Sequence, residues 1–410
     1  MLKKNFNDIL NTMLFKTVKE TADELQLETY VIGGFVRDHL LNRQIDYTDI
    51  DFVVIGSGIE LAQALQKKQK KSSKVQVFKT YGTAMLKWEG ITLEFVGARK
   101  ESYAPETRNP KITEGSLEDD QKRRDFTINA MAISLNKKTY GNLLDPFNGI
   151  ADLENGILRT PLEPGITYSD DPLRMLRAVR FASQLNFIIE KKSLDAIQEH
   201  AERLSIITKE RCVDELHKIM MCNTPSLGLL LLDKVKLLPL LLPELIDLKG
   251  IEEVEGQTHK DNFFHTFEVV DNICPNTDNL WLRWAALLHD IGKAPTKRFN
   301  KKNGWTFHSH EFVGAKMVYK LFKRLKMPLN DKMKFVQKMV LMSSRPIVIA
   351  EDLVTDSAIR RLIFDAGDHI DDLITLCEAD ITTKNPRRFK QYHNNFKAVS
   401  YTHLRAHETR

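Results

Sequence analysis

Two aspartates separated by one residue are the first side chains in this chain whose type and spacing favour chemistry. Asp49 and Asp51 open an apolar run that continues to Val54. In a β-strand, residues i and i+2 point to the same side, so the two carboxylates project together while Ile50 faces the core. Neighbouring carboxylates repel each other and are stable mainly with a divalent cation between them, as in two-metal phosphoryl transfer. Two exposed turn aspartates are the alternative interpretation.

A third carboxylate lies within another apolar segment, 92–96. We expect this residue, Glu94, on a strand beside the first, where it would complete a catalytic set with Asp49 and Asp51. A surface glutamate on an edge strand is the alternative interpretation.

A pair of glycines, Gly33 and Gly34, follows the apolar residues Val31 and Ile32. At the end of a strand and the start of a helix, unhindered backbone N–H groups can hold phosphate. Arg37 is a candidate for the triphosphate, because a guanidinium pairs bidentately with phosphate oxygens. A bare Gly-Gly turn is often only a turn, so its weight depends on the motifs that follow.

Five segments in this order resemble the class II tRNA nucleotidyltransferase and bacterial poly(A) polymerase family, a branch of the polymerase β superfamily. One departure is visible, since the family usually has glutamate where this chain has Asp170. The segments are GGFVRD at 33–38, DID at 49–51, RRDFTINAM at 123–131, LDPFNGI at 144–150 and SDDPLRMLRAVRF at 169–181.

The resemblance implies an α+β fold in which an N-terminal mixed-sheet, polymerase β-like nucleotidyltransferase head precedes an all-α neck and an all-α HD domain. It places nucleotide-binding residues in the third and fifth segments. Arg123 is a further candidate for the triphosphate, and Asp125 could orient an arginine or touch base or ribose. Arg177 and Arg180 could support the site or be surface charges of the neck helix.

The pair Asp171 and Arg174 is suited to reading a base. Three residues apart on a predicted helix, the two side chains would be neighbours on one face. Aspartate accepts hydrogen bonds and arginine only donates them. Cytosine and adenine each present an amine beside a ring-nitrogen acceptor, whereas uracil and guanine present the opposite pattern, so the pair fits C and A. By analogy with groove readout, the discrimination is worth about 1–3 kcal/mol. A surface ion pair is the alternative.

A second group of possible ligands lies near the C-terminal end of the chain. The segment LLHDIGK at 287–293 resembles the signature of HD phosphohydrolases. His265, His289, Asp290 and Asp380 would supply nitrogen and oxygen ligands to a divalent transition metal or Mg²⁺. His308 and His310 could enlarge the site to two metals. An HD scaffold kept only for RNA contact is the alternative, while some family members hydrolyse phosphate esters such as 2′,3′-cyclic phosphates.

Apolar periodicity predicts the elements that must position these groups. Short segments with strand character dominate up to residue 150, and helical periodicity dominates afterwards. We expect a head at 1–150, a helical neck at 151–245, an HD domain at 251–385 and a tail of unfamiliar sequence at 386–410. The predicted strands are 29–32, 50–55, 75–78, 83–88, 91–96 and 130–135, and the main predicted helices are 173–185, 194–201, 213–221, 227–235, 263–273, 280–291, 312–325 and 370–381.

Composition limits the class of protein. The chain has 410 residues, a net charge of only +5 and four widely spaced cysteines, Cys212, Cys222, Cys274 and Cys377. These cysteines lack the spacing of a zinc site or a secreted disulfide framework. There is no apolar run of about 18 residues, so we expect a cytoplasmic protein without a membrane partner.

The motifs together predict addition of C, C and A to the 3′ end of tRNA from CTP and ATP, with pyrophosphate released and Mg²⁺ bound by Asp49 and Asp51. Poly(A) synthesis and a split CC-adding or A-adding activity share the same head motifs. An HD phosphohydrolase with a vestigial head and a non-catalytic RNA-binding module are alternatives from other classes. The sequence does not indicate an oligomeric state.

Overall fold

The computed structural model describes residues 6–43, 48–68, 74–102, 111–259, 261–346 and 356–382. The predicted tail at 386–410 lies outside these residues. The chain divides after Ile207 into two compact units. The predicted fold class is confirmed, because the first unit has a mixed sheet and the second is mainly helical.

The first unit is built on a seven-stranded sheet with the order β3-β4-β5-β2-β1-β8-β9. All six strand-like segments predicted from the sequence belong to it. Two further strands form a separate hairpin, β6 with β7, and two short ones pair as β10 with β11. The strands are β1 Glu28–Ile32, β2 Asp49–Ile55, β3 Gln76–Phe78, β4 Thr83–Trp88, β5 Ile91–Gly97, β6 Arg99–Ser102, β7 Lys111–Glu114, β8 Ala132–Ser134, β9 Leu143–Leu144, β10 Ile157–Leu158 and β11 Ile188–Ile189.

The centre of the sheet positions the predicted carboxylates. β2 runs parallel to β5 and antiparallel to β1, and Asp51 lies level with Glu94 in the β2–β5 register. The alternate residues of β2 face the core, where the Phe52 ring stacks on the Phe95 ring at 4.8 Å between centroids. The aromatic core therefore fixes the side of the sheet on which the acidic residues emerge.

Helices cover the sheet and continue beyond it within the first unit. The helix Leu173–Leu185 has the bounds that its periodicity predicts. A second helix, Pro164–Asp170, ends just before it. The remaining α-helices of this unit are Asn7–Leu10, Met13–Glu24, Gly34–Leu40, Gly58–Lys68, Leu117–Lys122, Gly149–Asn155 and Lys191–His200, and its 3₁₀ helices are Lys79–Tyr81, Thr127–Asn129 and Ala201–Ile206.

The second unit is helical and carries two small hairpins. The helix that contains Leu287 ends at Leu288, before the predicted end at residue 291, so His289 and Asp290 lie in the turn after it. No described helix is both long and apolar enough to cross a membrane. The helices are Lys209–Met220, Pro225–Lys234, Leu238–Leu241, Pro243–Ile246, Asn262–Ile273, Cys274–Asn276 (3₁₀), Leu280–Leu288, Lys293–Thr296, His310–Arg324, Asp331–Met342, Asp356–Ala366, Gly367–His369 (3₁₀) and Ile370–Asp380, and the strands are Glu253–Val254, Gln257–Thr258, Arg298–Asn300 and Gly304–Thr306.

Candidate functional site

Three carboxylates meet at the middle of the head sheet. Asp51 and Glu94 are half-buried neighbours on parallel strands, and Asp49 lies two residues earlier on β2, where it is exposed. Burial raises the pKa of Asp51, as does the charge of Asp49, although Arg124 opposes the shift. Burial and the charge of Asp51 likewise raise the pKa of Glu94. Carboxylate oxygens gathered in this way are the ligands that Mg²⁺ prefers, so the donor set fits that ion.

The first glycine of the Gly-Gly pair closes one side of this acidic group. Gly33 has φ +84°, a conformation that side-chain-bearing residues rarely adopt. A Cβ atom here would lie 3.1 Å from Asp51 Oδ2 and 3.0 Å from a guanidinium nitrogen of Arg124. At Gly34 a Cβ atom would lie 3.6 Å from Arg37, which is an ordinary contact. The turn therefore needs glycine at residue 33 both for its backbone and for the close approach of the carboxylate.

The two adjacent arginines of the third motif share one buried carboxylate that the sequence analysis missed. Asp120 Oδ1 accepts hydrogen bonds from Arg123, at 3.0 Å for Nε, and Asp120 Oδ2 lies 3.3 Å from Arg124 Nε. Burial would raise the pKa of Asp120, but the two guanidiniums outweigh it and hold the pKa below its usual value. The signal in the sequence was an acid three and four residues before the arginine pair, on the preceding helical turn.

The arginine of the first motif is buried rather than exposed to a ligand. Arg37 donates from Nε and Nη2 to the two oxygens of Asp38 at 3.0 and 2.7 Å, and from Nη1 to Asn129 Oδ1 at 2.7 Å. These contacts tie the Gly-Gly turn to the 3₁₀ helix Thr127–Asn129. The triphosphate contact expected for Arg37 stays a prediction.

Asp125 lies in the same network. Its Oδ2 accepts from Arg177 Nε at 2.8 Å, and its Oδ1 accepts from Asn129 Nδ2 at 3.0 Å and from the Phe126 backbone at 2.9 Å. Burial would raise the pKa of Asp125, but Arg177 and the Asn129 hydrogen bond lower it well below its usual range. Of the roles that the sequence left open for Asp125, this geometry favours the orientation of an arginine.

The start of the helix Leu173–Leu185, which the sequence predicts to belong to the neck, presents a polar stripe. Asp171, Arg174 and Arg177 are half-exposed, whereas every residue between them is buried. Arg174 Nη2 donates to the backbone carbonyl of Arg123 at 2.5 Å. Arg180, one turn further on, is buried, and its guanidinium lies 3.9 Å from the Phe181 ring centroid.

The prediction that Asp171 and Arg174 lie on one helix is wrong in one respect. Asp171 is extended, with φ −134° and ψ 97°, and separates the helices on either side of it. Its Oδ1 accepts from the backbone N–H of Leu173 at 3.2 Å, as a capping carboxylate does. Both residues are nevertheless half-exposed, and the two residues between them are buried.

The four predicted HD ligands converge in the second unit. His265 Nε2 lies 2.8 Å from Asp380 Oδ1 and 3.9 Å from Asp290 Oδ2. His289 Nε2 lies 3.3 Å from the same Asp290 oxygen and 3.5 Å from Asp380 Oδ1. Ligand atoms of His265, His289 and Asp290 all lie within 4.8 Å of one another. Two imidazoles and two carboxylates at these distances form a mixed nitrogen and oxygen donor set that fits a divalent transition metal.

The orientation of His289 supports that fit. Its Nδ1 lies 2.8 Å from the carbonyl oxygen of Ala286 and donates there, which leaves Nε2 on the side of the carboxylates, where a bound metal would displace its proton. Burial lowers the pKa of His289, but Asp290 and Asp380 outweigh it and raise the pKa to about 10. The two carboxylates therefore favour a positive charge beside them. The ammonium group of Lys293, 2.6 Å from Asp290 Oδ2, is one such charge.

The two histidines proposed to enlarge this site differ in position. His310 Nε2 lies 3.6 Å from Asp290 Oδ1, at the edge of the cluster. His308 is exposed, and no contact places it with these ligands in the described structure.

Comparisons with known proteins agree with the order of these sites. The chain matches the poly(A) polymerase head domain at residues 29–159, a probable RNA- and SrmB-binding site of polymerase A at 186–248, and the HD domain at 262–383. The multifunctional CCA protein of Vibrio campbellii is 30% identical over 367 residues, which cover 86% of this chain and 85% of that protein. The chain belongs to the family of CCA-adding tRNA nucleotidyltransferases and bacterial poly(A) polymerases.

Other members of the family differ in length. The A-adding tRNA nucleotidyltransferases of Aquifex aeolicus and Deinococcus radiodurans are 43% and 35% identical over 181 and 274 residues. The match spans only 21% and 60% of their respective lengths.

Solved structures support the fold of this family. A tRNA nucleotidyltransferase complexed with a primer tRNA and an incoming ATP analogue superposes with a TM-score of 0.66 at 24% identity, covering 94% of this chain and 99% of that one. The CCA-adding enzyme of Thermotoga maritima complexed with tRNA gives a TM-score of 0.65 at 23% identity, covering 95% and 83%.

Proposed function

We propose that this chain adds C, C and A to the 3′ end of tRNA from CTP and ATP and releases pyrophosphate. The observation that carries the proposal is the level placement of Asp51 and Glu94 on adjacent parallel strands, beside the Gly33 turn and with Asp49 on the same strand. Three carboxylates close together repel one another and destabilise the fold unless a cation binds between them. The proposal explains why they are nevertheless gathered beside a turn of the type that binds phosphate.

The head residues divide the work of nucleotidyl transfer. Asp49, Asp51 and Glu94 would hold Mg²⁺, which when bound supplies charge neutralisation for phosphoryl transfer. Gly33 leaves room for backbone and phosphate to approach, and Arg124 lies beside it with Arg123 one residue before. Asp120 orients both guanidiniums and so sets where they can meet phosphate oxygens.

The half-exposed stripe on the neck supports selection of C and A. Asp171 offers acceptors and Arg174 offers donors, and the Arg123 carbonyl at 2.5 Å from Arg174 Nη2 fixes the direction of that guanidinium. A base that presents an amine beside a ring-nitrogen acceptor matches this pair. Uracil and guanine would set donor against donor and acceptor against acceptor, at a cost of about 1–3 kcal/mol.

Addition of A alone is the main alternative, since two of the similar proteins are A-adding enzymes. The multifunctional CCA protein, matched over most of its length, favours the complete CCA reaction. Poly(A) synthesis would use the same head residues.

Incorporation of labelled CTP and ATP, separately and together, tests these alternatives. The acceptors are tRNA transcripts that end before CCA, after C and after CC. Two C additions followed by one A, abolished in Asp49→Asn/Asp51→Asn, would support the proposal. Addition of A only to the CC end would indicate an A-adding enzyme, and long A tracts a poly(A) polymerase. Asp23→Asn, on an exposed carboxylate paired with Lys19, is the matched control and should retain activity.

Phosphate ester hydrolysis by the HD cluster is a second candidate function, favoured by the convergence of His265, His289, Asp290 and Asp380. These residues would hold a divalent metal that supplies Lewis acidity when bound. The test is hydrolysis of a 2′,3′-cyclic nucleotide in Ni²⁺, Mn²⁺ or Mg²⁺ by the wild type, His289→Asn and the exposed control His308→Asn. Hydrolysis lost only in His289→Asn would support this activity, and no hydrolysis with any of the ions would contradict it.

A further inference from the structure

Asn129 joins the two charged pairs that flank the head site. Its Oδ1 accepts from Arg37 Nη1 at 2.7 Å, and its Nδ2 donates to Asp125 Oδ1 at 3.0 Å. The residue is buried, with 5% of its surface exposed. Since Arg37 can only donate and ionised Asp125 can only accept, the linking group must offer one acceptor and one donor. A carboxamide meets that need and adds no charge.

The two hydrogen bonds of the Asn129 amide lead to two different elements, the helix that follows the Gly-Gly turn and the neck helix. Arg37 is locked by Asp38 on the helix that begins at the Gly33–Gly34 turn. Asp125 holds Arg177, with Oδ2 2.8 Å from Nε and 2.7 Å from Nη2. Asn129 thus lies midway between the turn next to the carboxylates and the neck helix.

Arg177 connects the link to the polar stripe of the neck. It lies three residues after Arg174 and six after Asp171, on the half-exposed face where residues between them are buried. Its guanidinium also lies 5.4 Å from the Phe181 ring centroid, and that of Arg37 lies 4.9 Å from the same ring. The first turns of the neck helix are therefore tied to the Gly-Gly turn by hydrogen bonds through Asn129 and by the two guanidiniums that lie over the Phe181 ring.

We propose that Asn129 is a positioning residue for base selection, which sets the stripe Asp171, Arg174 and Arg177 relative to the nucleotide-binding turn. This role rests on the proposed function, because it concerns which nucleotide that reaction accepts. Asn129 acts through Arg37 and through Asp125 with Arg177. When the Asn129 amide is removed, Asp125 loses a hydrogen-bond donor that orients it, and Arg177 loses a fixed partner. The stripe Asp171, Arg174 and Arg177 can then adopt other positions.

The test compares nucleotide discrimination in wild type, Asn129→Asp and Asn129→Ala. Asn129→Asp has nearly the same shape and keeps the acceptor for Arg37, but it turns a carboxylate oxygen toward Asp125. The readout is the ratio of kcat/KM for CTP to that for UTP on a tRNA transcript ending before CCA. A reduced folded fraction lowers both values equally and cancels in the ratio. We expect the ratio to fall by about tenfold in both variants, within the range of base-readout energies.

Asn136→Ala is the matched control. Its amide oxygen accepts from the backbone N–H of Thr29 at 2.8 Å, at the end of β1 away from the turn, and the contacts of this amide among the described residues do not include Arg37 or Asp125. This variant should keep the wild-type ratio even if it unfolds at a lower temperature. An unchanged ratio in both Asn129 variants, or an equal fall in Asn136→Ala, would overturn the positioning role.

Amide hydrogen exchange of residues 173–185 separates this proposal from the proposed function. We expect faster exchange at the start of this helix in Asn129→Asp and wild-type protection in Asn136→Ala. A wild type that adds no nucleotide would contradict the proposed function, and the exchange data would then decide the role of Asn129 alone. If residues 173–185 of Asn129→Asp then exchange as slowly as in wild type, the positioning role of Asn129 is overturned.

Discussion

At the scale of a residue, Asp120 binds two arginines at once. Its side chain has no exposed surface, and Arg123 and Arg124 together hold its pKa below the usual value despite burial. A depressed pKa in the folded state stabilises the fold above the unfolded-state pKa, about 3.9. That stabilisation is lost as the pH falls through the folded-state pKa.

Asp120→Asn should lower the free energy of unfolding at pH 7 by about 3 kcal/mol, because it leaves two guanidiniums without their buried counter-charge. The difference from wild type should begin to narrow below about pH 4, where Asp120 of the unfolded chain becomes protonated, and should continue to narrow until the pH falls below the lower pKa of the folded state. Urea unfolding at pH 7 and pH 3 measures both effects. Glu118→Gln, at a side chain that is 61% exposed and paired with Lys122, should change stability by less than about 1 kcal/mol. A gap that stays constant with pH would contradict this account.

Arg37→Lys tests whether this residue organises the turn or binds the triphosphate. Lysine keeps the charge but cannot contact both oxygens of Asp38 and reach Asn129 together, so we expect about 2 kcal/mol of lost stability. Thermal unfolding and the KM for CTP are the two measurements. A KM raised severalfold with unchanged stability would instead favour the triphosphate contact.

At the scale of an element, the strand–turn–helix at Gly33 combines backbone strain with crowding. Gly33→Ala should cost about 1–3 kcal/mol of stability for its backbone conformation and should abolish nucleotide addition by pushing Asp51 and Arg124 apart. Gly90→Ala is the matched control, since Gly90 has φ +93° but no atom within 4 Å of an added Cβ. The free energy of unfolding should fall by a similar amount in both variants, while only Gly33→Ala loses nucleotide incorporation. Equal activity of the two variants would contradict a role of crowding.

Local patterns were sufficient to predict the elements that alternate clearly. The strand Thr83–Trp88 and the helix Leu173–Leu185 have the predicted bounds, and the i, i+2 spacing predicted the shared side of Asp49 and Asp51. The hairpin Arg99–Ser102 with Lys111–Glu114 was not predicted, because its charged strands lack apolar alternation.

The contacts within the site depended on information that spacing does not carry. The burial of Arg37 follows from its contact with Asn129, 92 residues later, and the hydrogen bond from Leu173 to Asp171 Oδ1 lies where one helix ends and the next begins. A single sequence reports neither the partner across the fold nor the hydrogen bond that ends a helix. Two local signals were present, since Asp120 is an acid one turn before two arginines and Asp171 precedes Pro172, a position that disfavours helical backbone.

At the scale of the molecule, the second unit carries a metal-type cluster of its own, and we expect ion binding there to stabilise the protein. At a hundred times the dissociation constant, a ligand adds about 2.7 kcal/mol to the free energy of unfolding. Calorimetry with Ni²⁺ or Mn²⁺ should show a higher unfolding temperature in wild type and in His308→Asn but not in His289→Asn, since His289 lies within the buried cluster. An equal rise in all three would place the ion elsewhere.

The level placement of Asp51 and Glu94 also bears on how the head folds. Burial raises the pKa of both residues, and the charge of Asp49 adds to this at Asp51 as that of Asp51 does at Glu94, so each charged form opposes the folded state at neutral pH. The head thus folds despite these two side chains, and its other contacts must compensate for them. With a chelator present, Asp51→Asn should therefore have a higher free energy of unfolding than wild type. The same variant should lose nucleotide addition, so stability and activity oppose each other at this residue.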